Sequence, residues 1–122
     1  MLHGFIVSYC LNPIPQAATV ELTGDANLGL NVLRNEIYCK GALRPLKPTP
    51  FRLMHLLAMN AECIVSRRKI LKDVWGYDFD PGTKIIEVQI NYLRKILGSI
   101  TSDYEIKTYW GKGISLRKIQ SG

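Results

Sequence analysis

Between residues 49 and 97 the apolar side chains recur at helical spacing, and on both sides of that stretch they fall into short runs separated by turn-forming residues. Thr49 is a good N-cap residue, with Pro50 at the first helical position, where a missing amide hydrogen costs nothing. Phe51, Met54 (or Leu53), Leu57 and Ala58 then form an apolar stripe that reaches about Asn60. Ser66 is a second N-cap candidate, opening a helix over 67–75 with Ile70, Leu71 and Val74 facing inward and Gly76 ending it. Residues 76–82, GYDFDPG, have the composition of a loop, and Thr83 or Asp80 is placed to cap a third helix that runs to about Leu97. There Ile86, Ile90, Leu93 and Leu97 stand at i, i+4, i+7 and i+11, one apolar stripe that Ile96 widens.

The flanking runs predict strands. Residues 2–11 are apolar, but they are too short to span a bilayer and no basic residue precedes them, so a strand or buried arm is expected. Asn12-Pro13-Ile14-Pro15 breaks the chain. Thr19–Leu22, Leu28–Leu30, Leu33–Cys39 and Ala42–Leu46 follow, with turn signals at residues 24–27 and at Lys40-Gly41, and together predict a small antiparallel sheet. After the third helix, residues 104–108 and 114–119 pair across Trp110-Gly111-Lys112-Gly113. A short basic helix, a loop, a two-faced helix and a Gly-x-Gly hairpin, in that order, are the plan of a winged helix-turn-helix. The expected class is α+β, with an N-terminal antiparallel sheet, a three-helix core and a C-terminal β-hairpin wing. Residues 1–18 are read as an arm or linker remnant and residues 19–119 as the domain.

Charge gives this plan a direction. The chain of 122 residues carries a formal net charge of +6. Residues 1–66 hold five Lys/Arg against four Asp/Glu, whereas residues 67–122 hold eleven against six. A basic half favours an anionic partner. On the third helix Lys84, Val88, Asn91 and Lys95 share the helical spacing of the apolar stripe on the opposite side, with Glu87 and Tyr92 flanking and Arg94 at the margin. Cations meet phosphates, amides read base edges and an aliphatic side chain touches a thymine methyl, so this mixture suits a major groove.

Other chemistries find no support. Cys10, Cys39 and Cys63, with His3 and His55, lack metal-ligand spacing, and the cysteines are read as small core residues in a reducing compartment. Gly111-Lys112-Gly113 lacks the spacing of a phosphate-binding loop. Asp78-Phe79-Asp80 begins like a calcium loop but has Thr83 and Gln89 where glycine and glutamate are needed. With no catalytic set, metal or cofactor indicated, a non-enzymatic cytoplasmic protein without membrane attachment or small-molecule substrate is expected.

The chain resembles the effector domain of OmpR/PhoB-type response regulators, which are winged-helix transcription factors of two-component systems. The resemblance rests on residues 46–54 (LKPTPFRLM), 64–67 (IVSR), 74–77 (VWGY), 86–95 (IEVQINYLRK) and 108–113 (TYWGKG). It implies a sequence-specific double-stranded DNA-binding regulator, dimeric on repeated half-sites, with helix 83–97 in the major groove and wing 109–114 in the minor groove. By position it implies helix contacts from Lys84, Val88, Gln89, Asn91, Tyr92 and Arg94, to which the outer face adds Lys95. It further implies backbone contacts from Trp75 and Thr108, and a wing contact from Trp110 or Lys112. Residues 76–82, with Tyr77, Asp78, Phe79 and Asp80, match a loop through which such proteins contact RNA polymerase. The chain departs from the family pattern, which has Glu at Pro50, an imidazole at Gln89, basic residues at Asn91 and Tyr92, Arg at Trp110 and Tyr at Ile114. The alternative reading is a winged-helix protein-interaction or dimerisation module with weak or no DNA binding, anchored by exposed aromatics. No receiver domain is recognised within these residues.

Overall fold

The computed structural model describes residues 19–21 and 28–119, the first three by backbone alone. The expectations for residues 1–18, Leu22 and the turn at 24–27 lie outside the described residues.

Four antiparallel strands in sequential order make the first sheet: β1 (Thr19–Glu21), β2 (Leu28–Asn31), β3 (Glu36–Cys39) and β4 (Ala42–Pro45). Leu28 pairs with Cys39 and Leu30 with Ile37, and all four side chains are buried. The segment predicted as a strand from Leu33 starts instead with a turn, because the Asn31 carboxamide oxygen accepts from the Leu33 and Arg34 amides, both at 3.1 Å. The expected hairpin at Lys40-Gly41 is present, with φ of +49° and +90° at the two positions.

Helix α1 (Pro48–Met59) begins earlier than predicted. Lys47 occupies the N-cap and contributes no side-chain bond, so Thr49 lies inside the first turn between two prolines. Those prolines remove two of the orphan amide donors that a capping side chain would otherwise serve. Its buried face carries Pro50, Phe51, Leu53, Met54, Leu57 and Ala58. Helix α2 (Arg67–Ile70) has the predicted cap, with Ser66 Oγ accepting from the Lys69 amide at 3.1 Å. It widens into a π turn over Leu71–Trp75 and stops at Gly76, whose φ of +79° suits a residue without Cβ.

Helix α3 (Ile85–Ile100) starts two residues later than expected and ends three later. Neither Thr83 nor Asp80 caps it; Lys84 holds the N-cap position without a side-chain bond. The Asp80 carboxylate is engaged elsewhere, by Arg67 and by the Gly82 amide. Glu87 in the first turn complements the positive end of the helix dipole. Ile86, Ile90, Leu93 and Leu97 are buried as the stripe requires, and each such side chain contributes roughly 1.5–3 kcal/mol relative to exposure. Strands β5 (Tyr104–Tyr109) and β6 (Gly113–Lys118) close the fold as the hairpin. Their inner residues Tyr104, Ile106, Ile114 and Leu116 join the same core as the helices and the first sheet. Of the cysteines, Cys39 is a core residue, whereas Cys63 is exposed after α1 and departs from expectation; Cys10 is outside the described residues.

Candidate nucleic-acid interface

The hairpin is seated on the α1–α2 connection by backbone bonds. Val65 exchanges both bonds with Ile114, N–H to O at 2.7 Å and 2.9 Å. The Glu62 amide donates to Leu116 O at 2.9 Å. A Cβ at Gly113 would stand 2.1 Å from the Val65 carbonyl oxygen, so this approach requires glycine. The wing is thereby fixed against the start of α2. Ser66, Arg67, Arg68, Ile86, Glu87 and the hairpin tip enclose one open groove of about 410 Å³. The start of α3 and the wing tip therefore present one continuous surface.

Two arginines organise it. Arg67 Nε donates to Asp80 Oδ2 at 2.8 Å, Nη1 to Glu87 Oε2 at 2.7 Å and Nη2 to the Thr83 carbonyl at 2.8 Å. One guanidinium thus ties α2, loop 76–84 and α3 together. The hydrogen bond to Asp80 leads in raising the Arg67 pKa and in holding the Asp80 carboxyl below its ordinary value. Arg94 on α3 donates from Nε to Ile106 O at 2.9 Å, from Nη2 to Thr108 Oγ1 at 2.9 Å and from Nη1 to Asn91 Oδ1 at 3.3 Å.

The predicted site residues sort by what remains accessible. Val88, Asn91 and Lys95 on α3 and Lys84 at its N-cap are exposed, and Val88 is 61% exposed although aliphatic. Gln89 and Tyr92 are half-buried and line, with residues 47–50, a groove of about 470 Å³ between α3 and the start of α1. Tyr92 also packs against the core. Arg94 and Thr108 are exposed but bonded to each other, and Trp75 is half-buried against the core. Lys112 and Trp110 project from the wing. Among the described residues Lys84, Lys95, Lys112 and Arg68 enter no ion pair.

In loop 76–82, Tyr77 and Phe79 stack with ring centroids 5.6 Å apart, and Phe79 is 66% exposed. Asp78 is exposed, whereas Asp80 turns to Arg67. Sequence reasoning passed over Arg68, which lines the wing groove, and Lys107 and Arg117, whose cations lie 5.5 and 5.7 Å from the Tyr109 ring. The run Arg67-Arg68-Lys69 was the available signal for Arg68; the cations around Tyr109 meet only through strand pairing. No group of three His, Cys, Asp or Glu side chains suited to a metal occurs among the described residues, and none of their helices is long and apolar enough to cross a membrane.

Residues 41–116 match the family described as transcriptional regulatory protein, C terminal. The chain belongs to this family. This is the OmpR/PhoB-type effector domain that the sequence motifs resemble. The chain is 31% identical over 103 residues to the response regulator ArlR of Staphylococcus haemolyticus, covering 84% of this chain and 46% of that protein. It is 34% identical over 91 residues to ArlR of Staphylococcus aureus, covering 73% and 42%. The chain thus spans less than half the length of these curated relatives. The DNA-binding domain of CpxR from E. coli superposes with a TM-score of 0.64 at 28% identity, covering 77% of this chain and 93% of that one. The Klebsiella pneumoniae RstA DNA-binding domain, solved in complex with the RstA box, gives 0.65 at 26% identity, covering 75% and 91%. These effector-domain relatives share the sheet, helix and hairpin order described above.

Proposed function

We propose that this effector domain binds double-stranded DNA in a sequence-specific manner and regulates transcription without catalysis. Helix α3 lies in the major groove and the wing in the adjacent minor groove. The observation that carries this reading is the outer surface of α3: Lys84, Val88, Asn91 and Lys95 are exposed, and the start of the helix shares one groove with the wing tip and Arg68. Lys84, Lys95, Lys112 and Arg68 take phosphates, Asn91 reads a base edge and Val88 meets an apolar base edge such as the thymine methyl. Gln89 and Tyr92, at the edge of the α1 groove, contribute to readout on that side. Trp75 and Thr108 lie at the backbone-facing margin, and Arg94 acts mainly by holding the wing.

The protein works in the cytoplasm as a dimer on repeated half-sites. The stacked Tyr77–Phe79 pair with Asp78 forms a contact surface for RNA polymerase. This second surface favours a protein partner for the loop, not for α3.

Selection of duplexes from a random pool, followed by binding titrations at several salt concentrations, tests the reading. The selected duplex should bind more tightly than random duplex by about a thousandfold or more, the lower end of the specificity ratios of such proteins. Lys84→Ala and Lys95→Ala should each lower the log–log salt slope by about one unit. Equal affinity for selected and random duplex would sink the proposal and leave the protein-interaction module.

A further inference from the structure

Trp110 is the most exposed large apolar side chain among the described residues, at 92%. It occupies the second position of the hairpin turn, in which the Lys112 amide donates to Tyr109 O at 2.9 Å and Gly111 adopts φ +76°. The turn sits on a stiff base. Ile114 is bonded twice to Val65, Gly113 abuts the Val65 carbonyl, and Arg94 holds Ile106 and Thr108. The backbone that carries the indole is already ordered, so insertion into a partner costs only the freedom of the side chain itself.

The surroundings of the indole select the partner. Aromatic anchors of protein interfaces sit within desolvated pockets among other well-packed contacts. Here the neighbouring positions are glycines and cations: Gly111, Lys112 and Gly113 in the turn, with Lys107 and Arg117 against Tyr109 beneath. From residue 104 to 118 the hairpin carries Lys107, Lys112, Arg117 and Lys118 against the single acid Glu105. A rigid apolar ring on a cationic hairpin matches an anionic partner with an apolar interior, which describes stacked base pairs behind a phosphate backbone. An indole supplies no positive charge, so it gains by covering sugar edges and base faces.

Resting on the DNA-binding reading above, we propose that Trp110 is an apolar wedge. It enters the minor groove beside the α3 site, parts one base step and bends the duplex. Trp110 then determines specificity through the cost of deforming that step, so flexible pyrimidine–purine steps are preferred under the wing.

The test uses the duplex selected by the wild-type domain, end-labelled for fluorescence energy transfer at saturating protein. The wild-type complex should be bent by about 20° or more, the low end for intercalating wedges. Trp110→Phe should keep most of the bend. Trp110→Ala and Trp110→Lys should lose it, and Trp110→Ala should bind roughly tenfold more weakly, as the loss of one stacking contact implies. Lys84→Ala should weaken binding while its saturated complex stays bent. A straight wild-type complex would overturn the wedge, and so would a Trp110→Ala complex bent and bound like wild type. A wild-type domain that shifts no duplex at all removes the DNA reading and the wedge with it, an outcome distinct from a complex that forms unbent.

Discussion

Arg94 and Thr108 are joined by a 2.9 Å bond from Nη2 to Oγ1, which ties the outer edge of α3 to the first strand of the hairpin. The same guanidinium donates to the Ile106 carbonyl, so one side chain sets the distance between α3 and the hairpin. Arg94→Met should therefore destabilise the domain by about 1.5–3 kcal/mol, the range for hydrogen bonds that involve a charged group. Urea denaturation with no DNA present measures this. Thr108→Val should cost less, and its effect should vanish in the Arg94→Met background, because both remove the same bond. An Arg94→Met domain as stable as wild type but weak on DNA would show that the side chain acts as a phosphate contact instead.

Gly113 supports the hairpin from the other side. Any Cβ there meets the Val65 carbonyl oxygen at 2.1 Å, and the residue's φ of +149° is one that L side chains rarely adopt. Gly113→Ala should lower stability by about 1–3 kcal/mol, the cost of a strained backbone site, and loosen the Val65–Ile114 pair. Amide exchange at Val65 and Ile114 should accelerate more than exchange in α1. Unchanged protection at both amides would mean that the wing does not depend on this contact.

Much of this arrangement was legible in the sequence. The stripe Ile86, Ile90, Leu93, Leu97 identified the inner face of α3 because period 3.6 is a strictly local signal, and Ser66 announced its own cap. The start of α3 was not legible. Asp80 and Thr83 have the right chemistry for capping, but Arg67, thirteen and sixteen positions earlier, takes the Asp80 carboxylate and ties down the backbone at the Thr83 carbonyl. The roles of Arg94 and Tyr92 were blurred for the same reason. Helical phase places both near the outer face, whereas the strand packed alongside engages one and the core takes part of the other. Tertiary bonds between elements leave no trace in periodicity.

Arg67 also predicts a pH response. Its bond to Asp80, aided by the Gly82 amide, holds that carboxyl below its ordinary value, so the folded form binds fewer protons than the unfolded chain in acid. The contribution is complete above the unfolded pKa of about 3.8 and is lost as pH falls through the lower folded value. Protection of the Gly82 amide from exchange should therefore decline only in strong acid. Arg67→Lys should abolish much of that protection at neutral pH, since an ammonium cannot serve Asp80, Glu87 and Thr83 O together. Full protection in Arg67→Lys would leave the three-way clamp without a role in ordering the loop.

His55 sets a second pH response in a milder range. It lies on α1, stacked on Phe51 with centroids 6.1 Å apart, in a groove shared with Val32, Asn35, Pro48 and Arg52. Its Nε2 is buried and makes no hydrogen bond among the described residues. Burial lowers its pKa from 6.5, so the folded state favours the neutral ring while the unfolded chain protonates near 6.5. Stability is thus fully present above about pH 6.5 and falls as pH drops from there through the lower folded value. Thermal denaturation across pH 7.5 to 5 should show a declining midpoint for wild type and a flatter profile for His55→Phe, which keeps the stacked ring and removes the titration. Parallel profiles for the two proteins would mean that the imidazole accepts its proton in the fold as readily as in the unfolded chain.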